Sequence, residues 1–156
     1  YSSVEELHIE YTDAIPDNFA SNIGDELKSV VIDNLGSTIL GSYAFANCSN
    51  LTKVDVPKPF TEVGGYAFKN TVIEEFSAVA LTKIGEGAFE NCEKLLEFDL
   101  STNNLITEIP AFAFKGTTSL TNFHICSEPP ALGQRSFKDS GSCFSFSSEN
   151  STGGTA

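Results

Sequence analysis

The chain has 156 residues, nine Lys and Arg against 21 Asp and Glu for a formal net charge of −12, and 40 % hydrophobic residues including 13 Phe with no Trp or Met. That length suits one domain, and the acidic balance excludes the clustered Lys and Arg through which proteins hold nucleic-acid phosphates. No apolar run of about eighteen residues exists to cross a bilayer.

From the first residue onward one spacing recurs: an apolar residue, two variable positions, a second apolar residue, one variable position, a third. The first column is Val4, Leu27, Leu51, Ile73, Leu95 and Leu120. The second is Leu7, Val30, Val54, Phe76, Phe98 and Phe123, and the third Ile9, Ile32, Val56, Ala78, Leu100 and Ile125. A fourth column follows at Ile15, Ile39, Val63, Ile84, Ile109 and Leu132, and a fifth at Phe19, Phe45, Phe68, Phe89, Phe114 and Phe137. The period of the first three columns, 22 to 25 residues, marks a leucine-rich solenoid, in which each repeat buries its apolar face only against its neighbours.

Within each repeat, the alternation at the second and third columns predicts one short parallel strand. Its outward positions form an exposed sheet face that includes Glu6, His8, Lys53, Asp55, Glu75, Ser77, Glu97, Asp99, Asn122 and His124. Stacking sets Glu75 and Glu97 side by side, a like-charge pair that costs stability unless solvent screens it or a cation bridges it. His8 and His124 stand five strands apart, about 24 Å by strand spacing, too far to share a ligand.

Between the fourth and fifth columns, Gly41-Ser42-Tyr43-Ala44-Phe45 and its counterparts Gly64 to Phe68, Gly85 to Phe89 and Pro110 to Phe114 predict a short helical turn. The expected fold is therefore a right-handed leucine-rich repeat solenoid with a parallel β-sheet on one side and short helical turns and loops on the other. Repeats and caps occupy 1–140; 141–156 closes the cap and ends in a polar Ser/Thr/Gly tail. The first repeat departs at Asn18 and over 23–26, and the last at Pro129-Pro130 and Ser136, as capping coils require. The chain opens inside repeat one without an apolar leader, which predicts a fragment or a processed chain.

The segments Val54-Asp55-Val56-Pro57, Phe45-Ala46-Asn47-Cys48 and Ile84-Gly85-Glu86-Gly87-Ala88-Phe89-Glu90-Asn91-Cys92 resemble the BspA-like leucine-rich repeat family over about Val4 to Ser140. The resemblance implies an extracellular or cell-surface protein and an adhesive role toward host or other-cell proteins. A structural spacer or self-associating unit of a larger surface protein is the alternative.

Cys48 and Cys92 share a repeat position with Asn22, Thr71, Thr117 and Ser140 two coils apart, about 10 Å, beyond disulfide reach, and are expected to be buried free thiols. A bridge between Cys126 and Cys143 would close a loop of about eighteen residues, contribute about 3 kcal/mol and imply an oxidising compartment. Asn47, Asn50 and Asn150 open formal glycosylation sequons. No nucleophile elbow, zinc-protease, phosphate-loop or calcium-loop pattern occurs, and Gly85-Glu86-Gly87 is the repeat's own glycine position. No catalytic residue, metal site or cofactor is expected. The sheet face projects only about 300 Å², against about 800 Å² per partner for a standard interface, so either a weak interaction, a contribution from coil-edge loops, or further repeats in a longer array is expected.

Overall fold

The computed structural model describes residues 4–103, 105–125 and 129–141. Among these residues are ten short strands and no helix. Alternating side chains at the second and third columns produce β1 (Glu6–Ile9), β2 (Ser29–Ile32), β4 (Lys53–Asp55), β7 (Glu97–Leu100) and β9 (Asn122–Ile125). Their pairing is parallel and in the expected register: Leu7 lies beside Val30 and Val30 beside Val54, while Phe98 lies beside Phe123. The inward residues of β2, β7 and β9 are buried.

The fourth coil breaks the expected sheet. Residues 73–78 carry no strand, so β1-β2-β4 and β7-β9 are separate sheets. The coil remains in the stack, because Val72 N donates to Leu51 O at 3.1 Å and Leu96 N to Glu74 O at 3.4 Å. Full pairing would bring Glu75 directly against Glu97, the closest approach two like charges have in a sheet.

A second row of two-residue strands follows the fourth column: β3 (Ile39–Leu40), β5 (Glu62–Val63), β6 (Lys83–Ile84), β8 (Glu108–Ile109) and β10 (Ala131–Leu132). Leu40 bridges Ile15 and pairs with Val63, which pairs with Ile84. The fourth column thus runs through Leu40, fully buried, and not through Ile39, which is 48 % exposed. A one-residue shift turns each side chain to the opposite face, and Ile39-Leu40 offers two apolar residues to choose between. Coils approach closely just after β6: a Cβ on Gly85 would lie 2.3 Å from Gly65 N, so only glycine fits at that position.

Turns stand where short helices were expected. In the second coil Ala44, Ala46 and Cys48 donate their N–H back three residues, to Gly41, Tyr43 and Phe45, while Tyr43, Phe45 and Asn47 donate forward to Gly65, Ala67 and Lys69 of the next coil at 2.8 to 2.9 Å. Later coils repeat the pattern, as in Phe68 to Ala88 and Phe89 to Ala113. Every second peptide is thus bonded across the stack, which a helix with all its N–H groups bonded internally would prevent. Left-handed residues make the alternation possible: Tyr43 and Asn47, Tyr66 and Asn70, Gly87 and Asn91, Phe112 and Gly116, Arg135 and Asp139 all have φ between 54° and 72°.

Two stacks of phenylalanine fill the interior. Phe45, Phe68, Phe89, Phe114 and Phe137 stack nearly parallel with centroids 5.2 to 5.6 Å apart. Phe60, Phe76, Phe98 and Phe123 form the second stack at 5.7 to 6.3 Å. The stacks meet edge to face, for example Phe98 and Phe114 at 4.8 Å and 71°, the geometry favoured by ring quadrupoles. In the first coil, Ala20 N donates to Ala44 O as Phe45 N does to Ala67 O. Ala20 therefore holds the fifth-column place expected for Phe19, which is half-buried and meets Phe45 edge-on.

Cys48 and Cys92 are buried free thiols. Cys48 lies opposite Ile23, because Ile23 N donates to Ala20 O as Cys48 N does to Phe45 O; Asn22 is instead the counterpart of Asn47. The Cys92 thiol donates to Phe68 O at 3.1 Å. Burial, reinforced by Asp25, pushes the Cys48 thiol up to about 11, and burial pushes Cys92 to about 12. Glu90, 7 % exposed, takes ion pairs from Lys69 and Lys115, both at 3.2 Å. Cys126, Cys143 and the polar tail lie outside the described residues.

Candidate functional site

On the exposed sheet face the pairing brings the predicted residues into three groups. In the first sheet Glu6, Ser29 and Lys53 share one row and His8, Val31 and Asp55 the next. Glu6 accepts a hydrogen bond from Ser29 Oγ at 3.3 Å, His8 Nε2 lies 2.9 Å from Asp33 Oδ2, and Lys53 Nζ lies 3.5 Å from Asp55. In the second sheet Glu97 stands beside Asn122 and Asp99 beside His124. Asp99 accepts from Ser101 N at 2.7 Å; hydrogen bonding by the Ser101 side chain, opposed by burial and helped by that backbone bond and by nearby His124, holds its carboxyl below the usual range.

Glu75 and Ser77 belong to neither sheet. They lie on the unpaired fourth coil, exposed, with a slot on either side. Toward β4 the slot holds about 390 Å³ and includes Thr52, Lys53, Glu74 and Phe76. Toward β7 it holds about 300 Å³ between Glu74, Glu75, Leu96, Glu97 and Asp99. A narrower cleft of about 70 Å³ continues inward past Val54 and Pro59 to Phe60. Glu75 and Glu97 therefore face one another across an opening instead of standing as adjacent rungs.

Glu74 and Phe60 were not among the residues expected at this face, whereas Leu96 was expected beside it. Leu96 is 56 % exposed at the edge of the slot, and Phe60 is buried beneath it, stacked on Phe76. Repeat spacing carried no signal for Glu74 and Phe60, since Phe60 lies between columns and the slot exists only because pairing fails. Among the described residues no group of three His, Cys, Asp or Glu side chains is placed to hold a metal ion. No helix among them is long and apolar enough to cross a membrane.

A family model of the BspA type leucine rich repeat region matches residues 13–143 in six copies. A leucine-rich repeat protein of T. pallidum, known from a crystal structure, is similar in fold at 15 % identity, with a TM-score of 0.57 over 85 % of this chain and 74 % of that one. No curated protein sequence matches. Solenoids of this kind are in general binding scaffolds, not enzymes, and proteins of this repeat type are typically surface-exposed or secreted. With a parallel-strand solenoid, a buried phenylalanine in successive turns and a repeat model covering most of its length, the chain belongs to the BspA-type leucine-rich repeat family.

Proposed function

We propose that this chain is a non-enzymatic binding module of a cell-surface or secreted protein, an adhesin that recognises a host matrix or cell-surface protein through its exposed sheet face. The observation that carries this reading is the opened fourth coil. There the acidic side chains Glu74, Glu75, Glu97 and Asp99 line a slot that includes Phe76 and exposed Leu96. Exposed carboxylates around a partly apolar floor suit a protein segment carrying Lys or Arg beside an apolar residue, with charge steering the encounter and the slot fixing register. Two adjoining slots also add contact area that a flat strand row lacks.

The test is binding of the chain to immobilised host matrix proteins and to intact epithelial cells, at low and high salt, beside a Glu75→Lys/Glu97→Lys/Asp99→Lys variant. Binding that weakens with salt and falls about tenfold or more in the variant supports this reading. A folded wild-type protein that binds none of these surfaces would turn it toward a spacer or self-associating unit.

A further inference from the structure

Two ladders run along the turns, and both stop at the same place. The left-handed positions carry an aromatic ladder in which Tyr43 stacks on Tyr66 with centroids 5.2 Å apart and planes 18° from parallel. Tyr66 in turn lies over Gly87, where a Cβ would come within 2.3 Å of its ring. Four residues further on runs an amide ladder: Asn91 Nδ2 donates to Asn70 Oδ1 at 2.9 Å, and Asn70 Nδ2 to Asn47 Oδ1 at 2.7 Å. In the first coil the aromatic position is Asn18, too short to cover the Tyr43 ring, which remains 46 % exposed. The amide position is Asn22, which does not take the left-handed conformation of its counterparts. The inter-coil bond that Asn47 N makes to Lys69 O has no equivalent from Asn22 N.

Over 21–26 the first coil makes no peptide hydrogen bond to the turn of the second; it is held to it by Asn50 Nδ2, which donates to Asp25 O at 2.7 Å, and beside that contact lies a cavity of about 570 Å³ lined by Asn18, Asn22, Asp25, Tyr43, Ala46 and Asn47 among others. That volume falls within the roughly 300–1,000 Å³ of small-molecule sites. Two donors in its wall, Asn47 Nδ2 and the Tyr43 hydroxyl, bond to no protein atom among the described residues. The missing rung would be a flat body with an apolar face for Tyr43 and oxygen acceptors at its edge for Asn47. It would also carry donors for the Asp25 carboxylate.

A pyranose ring has that constitution. We propose that this cavity is a carbohydrate-binding site for a neutral pyranoside, with Tyr43 as the stacking platform and Asn47, Asn22 and Asp25 as the hydrogen-bonding rim. The ring's axial C–H face lies on the tyrosine, the amphipathic kind of surface tyrosine serves, and its hydroxyls pair with groups that water otherwise satisfies. Asp25 and Glu26 at the rim repel uronic and sialic acids, so the preference is for uncharged sugars. The site uses the turns and not the sheet face, and it stands or falls separately from the protein-binding reading.

The experiment is saturation-transfer NMR on the full chain with chitotetraose, cellotetraose and lactose, and with tetragalacturonate as the anionic comparison. Transfer to the C–H face protons of at least one neutral sugar and not to tetragalacturonate, with a shift of the Asn47 side-chain amide signals, is expected. Tyr43→Gly should weaken binding about tenfold or more while Tyr43→Phe keeps it, as loss of a stacking ring predicts. Asn47→Gly should weaken it about threefold or more, the scale of one lost hydrogen bond. Glycine is accepted at both positions by later coils, as Gly87 and Gly116, so these variants keep the fold, which the amide spectrum verifies. Absence of transfer from all three neutral sugars to folded protein overturns the proposal, as does binding indifferent to Tyr43→Gly. Concentration-dependent dimers abolished by Tyr43→Gly, in the absence of sugar binding, would overturn it in favour of a second copy of the chain as the occupant.

Discussion

Phe68 and Phe89 each have a parallel ring above and below and an edge contact from the second stack. Replacing either with Ala should cost about 3 to 5 kcal/mol, read from urea unfolding at constant m-value. The buried thiols give a second prediction at this scale. In the unfolded chain a cysteine ionises near pH 8.5 to 9, whereas Cys48 and Cys92 hold their protons to about 11 and about 12. Their folded values are raised, so their contribution is intact below pH 8.5 and is lost as pH climbs through 9 to 12. The stability curve should fall in that window by about 1.4 kcal/mol per pH unit for Cys92, and a Cys92→Ala variant should fall less steeply. The Phe columns behind the first prediction were readable because a ring at the same place in each coil from the second to the last, Phe45 to Phe137, imposes a period. The exchange of Phe19 for Ala20, and of Ile39 for Leu40, was hidden because each pair puts two apolar residues in adjacent places, and only inter-coil hydrogen bonding says which points inward.

At the level of the coil, Gly87 couples the backbone to the aromatic ladder. Gly87→Ala meets two obstacles, a φ of +60° and the Tyr66 ring 2.3 Å from the new Cβ. The cost should be about 2 kcal/mol or more, falling to about 1 in a Tyr66→Ala background, where only the backbone strain remains; thermal unfolding of the four proteins of the cycle measures it. The fourth coil makes a kinetic prediction: amides of Glu75, Phe76 and Ser77 should exchange with solvent well ahead of those of β2 and β7, because their N–H groups enter no ladder. Strands in the other coils followed from side-chain alternation alone. The missing one has the same alternation, Glu75-Phe76-Ser77, so alternation in the segment does not by itself decide whether it pairs with its neighbours in the stack. The turns were misread as helical for a related reason: small residues and glycine announce close approach, but the alternation of internal and cross-coil hydrogen bonds belongs to two coils at once.

For the molecule as a whole, stability is a sum over neighbouring coils, and recognition depends on where the stack is imperfect. Both candidate binding regions arise at such places, the sheet face where the fourth coil does not pair and the proposed sugar cavity where the first turn lacks the last rung of each ladder. The acidic character of the sheet face was legible from its outward positions, but the slots were not, because periodicity predicts a continuous surface. Charge reversal at Glu75, Glu97 and Asp99 should therefore alter adhesion while leaving the melting temperature within a few degrees, since these side chains are exposed.

The forward-pointing N–H groups of the turns give the coil stack a direction. At the alternate turn positions from Asn18 to Gly116 the peptide N–H that crosses between coils belongs to the earlier coil and the carbonyl that accepts it to the later one, while the Asn ladder beside them donates the opposite way. Through these backbone groups alone, two stacks match head to tail, N–H donors of one end facing carbonyls of the other. An association of that kind has no two-fold axis to close it: copies joined through their ends would grow as an open file, and a closed dimer has to be built through some other surface.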